Sequence, residues 1–156
     1  MTVPSQTIPG NLSLELLQSL QALKSVLVFA KGAALFRQGN PVTGIYLVEA
    51  GEVRILLSTT RTQRQLIEIV GGGTILGLGE SLSGENYRIT AEALVPTTVA
   101  FIPRDTLLNF LREHPDFSME VLRLLSEELH SLYHKFRSIS SHPGRPRRRD
   151  LDQQLN

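Results

Sequence analysis

The sequence predicts an α+β fold: an eight-stranded antiparallel β-roll, a double-sheet jelly roll, with an N-terminal helix, a short helix and a long C-terminal dimerisation helix. Three observations lead there. Between Ser25 and Pro103 the chain reads as short apolar runs punctuated by glycine, without helical period. Leucines at helical spacing stand only before Ser25 and after Pro103. No helical pattern intervenes between the strands, which argues for antiparallel pairing.

Residues 1–12, with Pro4, Pro9 and Gly10, read as a flexible arm. Leu16, Leu17, Leu20 and Leu23 then recur at helical spacing, with Ser13 or Asn11 as the candidate cap and core packing as their role. The strand candidates are VLVF, ALF, GIYLVE, EVRILL, QLIEIV, TILGL, YRITAEAL and TTVAFI. Ala50-Gly51 between Glu49 and Glu52 is a two-residue hairpin signal. Asp105 to Arg112 forms a short helix bearing Leu107, Leu108 and Leu111, and Pro115 opens the long helix that runs to about Ser140. Residues 13–140 thus form one domain, and 141–156, rich in Pro and Arg, form a disordered basic tail.

Composition bounds the chemistry. The 156 residues are 41% apolar and 20% charged, with a net charge of +1, so any attraction to nucleic acid is local. There is no cysteine, which excludes disulfides, thiolate metal sites and a cysteine nucleophile. The N-terminus lacks a signal-peptide pattern, and no apolar run is long enough to cross a membrane, so a cytoplasmic location is expected.

The stretch Gly32-Ala33-Ala34-Leu35-Phe36-Arg37-Gln38-Gly39-Asn40-Pro41, followed by Gly44-Ile45-Tyr46-Leu47-Val48-Glu49-Ala50-Gly51-Glu52-Val53, carries a resemblance. With the order helix, roll, short helix, long helix, it resembles the cyclic-nucleotide-binding domain of Crp/Fnr-type transcription regulators. In nucleotide-binding members of that family a glycine-glutamate pair, a short helical turn and an arginine form a phosphate cassette. The glutamate accepts from the ribose and the arginine pairs with the cyclic phosphate.

Two registers compete for that cassette. One uses Gly79-Glu80 and Arg88; the other, without gaps through Gly73-Thr74-Ile75-Leu76-Gly77-Leu78, puts Leu78 at the glutamate position and Tyr87 at the arginine position. Strand alternation favours the second: Tyr87, Ile89, Ala91 and Ala93 should face inward, and Arg88, Thr90 and Glu92 outward. The resemblance then implies a sensor scaffold without its usual clamp, since a buried phosphate needs a partner. A small-molecule effector other than a cyclic nucleotide would be lined by Leu78, Gly79, Glu80, Ser81, Leu82 and Ser83. Tyr87 and Arg88 would complete the lining, with Leu132 and Tyr133 from the long helix. A genuine cyclic AMP or cyclic GMP receptor using Glu80 and Arg88 is the alternative.

Leu122, Leu125, Leu129, Leu132, Phe136 and Ile139 form a heptad seam, with Val121, Leu124 and Tyr133 as a second stripe. One stripe suffices to pack on the roll, so the seam predicts a homodimer. Glu127, His130 and His134 share a helical face, read as solvated rather than metal-binding, and His114 caps the final helix. No catalytic constellation is present, and a cupin-like enzyme would need histidines on its strands, which have none; a non-enzyme without cofactor or metal is expected. Gly144-Arg145-Pro146 is similar to an AT-hook, making Arg145, Arg147, Arg148 and Arg149 possible nucleic-acid contacts, although a solubilising tail is preferred. Leu151 and Leu155 are too few to build a helix-turn-helix core, so output through a partner regulator, or a truncated regulator, is expected, with direct DNA binding the rival.

Overall fold

The computed structural model describes residues 13–60 and 62–140, and, of α4 beyond Glu127, only the side chains of His130 and His134. The arm expected over 1–12, with Asn11, and the tail expected over 141–156 lie outside the described residues. The elements run α1 (Leu14–Leu23), β1 (Ser25–Phe29), β2 (Ala34–Phe36), β3 (Gly44–Ala50), β4 (Val53–Ser58), β5 (Arg64–Val70), β6 (Ile75–Leu76), α2 (Leu78–Ser83), β7 (Thr90–Ala93), β8 (Thr97–Pro103), α3 (Arg104–Glu113) and α4 (Pro115–Ser140). The eight strands form two four-stranded antiparallel sheets, ordered β1-β8-β3-β6 and β2-β7-β4-β5. The predicted jelly roll and its helices are therefore present; the TILGL run is strand only at Ile75–Leu76, and α2 is the short helical turn that the resemblance implies.

In the first sheet, β3 is buried on both faces from Gly44 to Val48. Tyr46 and Val48 of β3 point into the roll with Val53, Ile55, Val70 and Val99. Ile45 and Leu47, between them, pack against Leu16, Leu20, Leu107, Val121 and Leu124 of the helices. That is why GIYLV is apolar without alternation. Full burial of side chains such as Ile45, Ile102 and Leu107 stabilises by roughly 2 kcal/mol each.

Ser13 is the N-cap of α1: its Oγ accepts from Leu16 N at 3.1 Å. The same hydroxyl donates to Glu120 Oε1 of α4 at 2.9 Å, and Ser13 N donates to Glu120 Oε2. His114 joins α3 to α4 differently from expectation. Its ring clusters with those of Phe110 and Phe117, which also stack on each other, and its Nδ1 meets the Phe110 carbonyl of α3 at 2.9 Å. Only its backbone carbonyl serves the first turn of α4, accepting from Phe117 and Ser118.

Ala50-Gly51 is not a hairpin. It carries the chain from one sheet to the other, since β3 pairs with β6 and β8 whereas β4 pairs with β5 and β7. Gly51 has φ of 113°, and a Cβ there would lie 2.4 Å from Thr97 Oγ1. Thr97 occupies the return corner between β7 and β8, with Oγ1 donating to the Val95 carbonyl at 2.7 Å. The two sheet crossings thus pack directly on one another.

Candidate functional site

The cassette region is built around Gly77. Its φ of 85° lets β6 turn into α2, and a Cβ would stand 2.9 Å from the Gly44 carbonyl and 3.2 Å from Tyr87 Cε1. Leu78 opens α2 and is buried in the helix-facing core, with Leu82 packed on its edge. Gly79 and Ser83 are exposed, while Ser81 is fully buried and its carbonyl accepts from Arg104 Nε at 2.7 Å.

Tyr87 is 3% exposed and lies in the core between the sheets. Its hydroxyl accepts from Thr43 N at 3.0 Å and Gly44 N at 3.2 Å and donates to the Gly44 carbonyl at 2.9 Å. Arg88 has a side chain 67% exposed and paired with Glu85. Glu80 Oε2 accepts from Arg88 N at 3.1 Å, so these two residues meet through the backbone of one and the carboxylate of the other.

The residues expected to line an effector site therefore divide: Leu78 and Leu82 pack beneath the helices, Tyr87 packs inside the roll, and Arg88 faces solvent. The side chains of Leu132 and Tyr133 lie outside the described residues, as do those of Leu129, Phe136 and Ile139 and all of Arg145, Arg147, Arg148 and Arg149. On α4, Val121 and Leu124 are buried, Leu125 is half-buried and Leu122 is 57% exposed. His130 and His134 are exposed, with their Nε2 atoms 3.0 Å apart. Among the described residues no cluster of three potential metal ligands occurs.

Two residues expected to face solvent are buried. Thr90 and Glu92 lie on the outer face of the second sheet, where Arg54 and Arg64 close over the Glu92 carboxylate and Thr90 Oγ1 accepts from Gln38 N. Glu92 Oε1 accepts from Arg54 Nη2 at 2.8 Å and Nε at 3.1 Å, and Oε2 accepts from Arg64 Nη2 at 2.7 Å. Burial pushes the Glu92 carboxyl up, and the two arginines more than offset it, holding it below its ordinary value. Cross-strand pairing of Arg54 with Glu92 is the signal that sequence reading missed, because it requires knowing that β4 and β7 are neighbours. Glu68 was missed as well: directly opposite Ile55, it faces the interior of the roll and is buried.

This double sheet carries a short helix between β6 and β7, and residues 26–114, more than half of the chain, match the family described as cyclic nucleotide-binding domain. The chain belongs to that family. It is 28% identical over 123 residues to the transcriptional activator protein anr of Pseudomonas aeruginosa, a match covering 78% of this chain and 50% of that protein. It is 30% identical over 98 residues to patatin-like phospholipase domain-containing protein 6 of Pongo abelii, covering 63% of this chain and 7% of that protein. The chain thus spans half or less of the length of these relatives. Among solved structures it is similar to the sensor domain of the regulator DNR of Pseudomonas aeruginosa, at 28% identity, TM-score 0.65, and coverage of 79% and 83%. The catabolite activator protein of Thermus thermophilus shares the fold at TM-score 0.74 and 21% identity, covering 84% of this chain and 62% of that one. Crp/Fnr-type regulators are accordingly among its relatives.

Proposed function

We propose that the chain is a non-enzymatic, dimeric, effector-sensing domain, working in the cytoplasm through a partner regulator, whose effector is not a cyclic nucleotide. The observation that carries this reading is Tyr87. Its ring fills the roll where the family resemblance would put the phosphate-binding arginine, and among the described residues no Lys or Arg is buried to replace it. A cyclic phosphate in that interior would be desolvated without a cation, at a cost of several kcal/mol.

Titration calorimetry with cyclic AMP and cyclic GMP tests the proposal, and micromolar concentrations should give no binding. Tight binding abolished by Arg88→Ala would establish the rival reading, a nucleotide receptor using Glu80 and Arg88. The Glu80–Arg88 contact favours that rival, since it already places the two residues side by side. Dimerisation is supported by α4, whose buried Val121 and Leu124 face the helices while Met119 and Leu122 stay exposed.

A further inference from the structure

We infer a second, separate binding site, for a phosphorylated small molecule, on the outer face of the sheet β2-β7-β4-β5. An open groove of about 480 Å³ lies there, lined by Arg37, Gln38, Gly39, Ser58, Arg64 and Thr90. It is outside the roll, because Thr90 and Glu92 alternate with Ala91 and Ala93, which face the interior core.

The groove is held in shape by groups other than those it offers to a ligand. Gln38 stands in for a missing rung between β2 and β4: its Oε1 accepts from Ser58 N at 2.8 Å and its Nε2 donates to the Ser58 carbonyl at 3.2 Å. Its own backbone N donates to Thr90 Oγ1 at 2.9 Å. Glu92, with a side chain only 8% exposed, fixes Arg64 through one guanidinium nitrogen and Arg54 through two. Among the described residues the remaining Arg64 side-chain donors make no bond, and the Arg37 guanidinium has no polar partner. Glu92 thus holds two guanidiniums with one carboxylate, and Arg37 lines the same groove as Arg64 without a carboxylate of its own.

That surplus of planar forks matches a doubly charged oxyanion better than a single carboxylate. The volume exceeds what one phosphate fills and lies in the range of small-molecule sites. The phosphate falls between Arg37 and Arg64, and the rest of the ligand runs over Gly39, whose exposed backbone at φ of 90° carries no side chain to obstruct it.

The test is titration of isotope-labelled protein with glucose 6-phosphate at about 150 mM salt, followed by amide shifts. Saturable shifts at Gly39, Ser58 and Thr90, with a submillimolar dissociation constant and none with glucose, are expected. Arg37→Ala should weaken binding about tenfold and Arg37→Lys less, while Arg112→Ala, which removes an exposed cation on α3, should change it by less than about twofold. The inference is overturned by absence of shifts at about 10 mM ligand, by equal shifts with glucose, or by equal losses in Arg37→Ala and Arg112→Ala. Because the shifts map to the outer face, the outcome is independent of whether the roll interior binds a nucleotide.

Discussion

The ring of Tyr87 stacks on that of Phe36 with centroids 4.0 Å apart, while its hydroxyl bonds the backbone of Thr43 and Gly44 at the entry to β3. One side chain thereby serves as core filler and as a clasp on the loop between β2 and β3. Tyr87→Phe keeps the stack and leaves the two backbone N–H groups without this acceptor. Urea unfolding should show a loss of about 1–3 kcal/mol. A change below about 0.3 kcal/mol would mean that water replaces the hydroxyl without cost.

Glu92 gives the fold a specific acid sensitivity. Its carboxyl sits below its ordinary value of 4.5 when folded, so the unfolded chain takes up the proton first as pH falls. The stability it contributes is complete above about pH 4.5 and disappears as pH drops through the lower, folded value. Glu92→Gln should therefore be destabilised by about 1–3 kcal/mol near neutrality, with the gap to wild type closing in acid. Paired denaturation curves across pH measure it, and a gap independent of pH would refute the assignment.

Two glycines should respond in opposite directions. At Gly44 a Cβ would stand 2.2 Å from the Ile102 carbonyl, at the end of the β3–β8 pairing, so Gly44→Ala should cost about 3 kcal/mol or abolish folding. Gly79 lies within α2 with nothing within 4 Å of an added Cβ. Gly79→Ala should raise stability by about 0.5–1 kcal/mol. Thermal melts of the two variants check both signs.

Leu122→Glu places a charge on the exposed apolar face of α4. Light scattering at about 50 µM should give a dimer for the wild type and a monomer for the variant, with unchanged circular dichroism. A monomeric wild type removes the dimer from the proposal.

Strands, helices and the double sheet were legible in the sequence, for a physical reason visible at β3: the apolar run Ile45 to Val48, set between Gly44 and Gly51, is too short for a buried helix and reads as a strand. The pairing of strands was not legible. Ala50-Gly51 has hairpin chemistry, yet the tight corner against Thr97 sends β4 to the other sheet, and only tertiary packing records that. The same blindness hid the outer-face cluster, where Gln38, Ser58, Arg64 and Glu92 are brought together from four separate segments. Alternation gave the direction of Tyr87 and Arg88 but not the burial of Glu92, because it says which face a residue takes and not what covers it.

The Ser13–Glu120 contact joins residues 107 positions apart. Helix α1, made before every other element of the domain, is thus completed by the last of them. Its N-cap is shared with Glu120, and Leu16 and Leu20 bury themselves only once α3 and α4 are in place. Strand β1 likewise waits for β8, and β2 for β7. Non-local closure of this kind slows folding, because the entropy of the long loops is lost before the contacts that reward it form. During synthesis α1 and β1 have no finished partner, and Val26 and Val28 on the β1 edge are exposed even in the completed fold. Until α3 and α4 arrive, the apolar face of α1, with Leu16 and Leu20, lacks the partners it packs on in the finished domain.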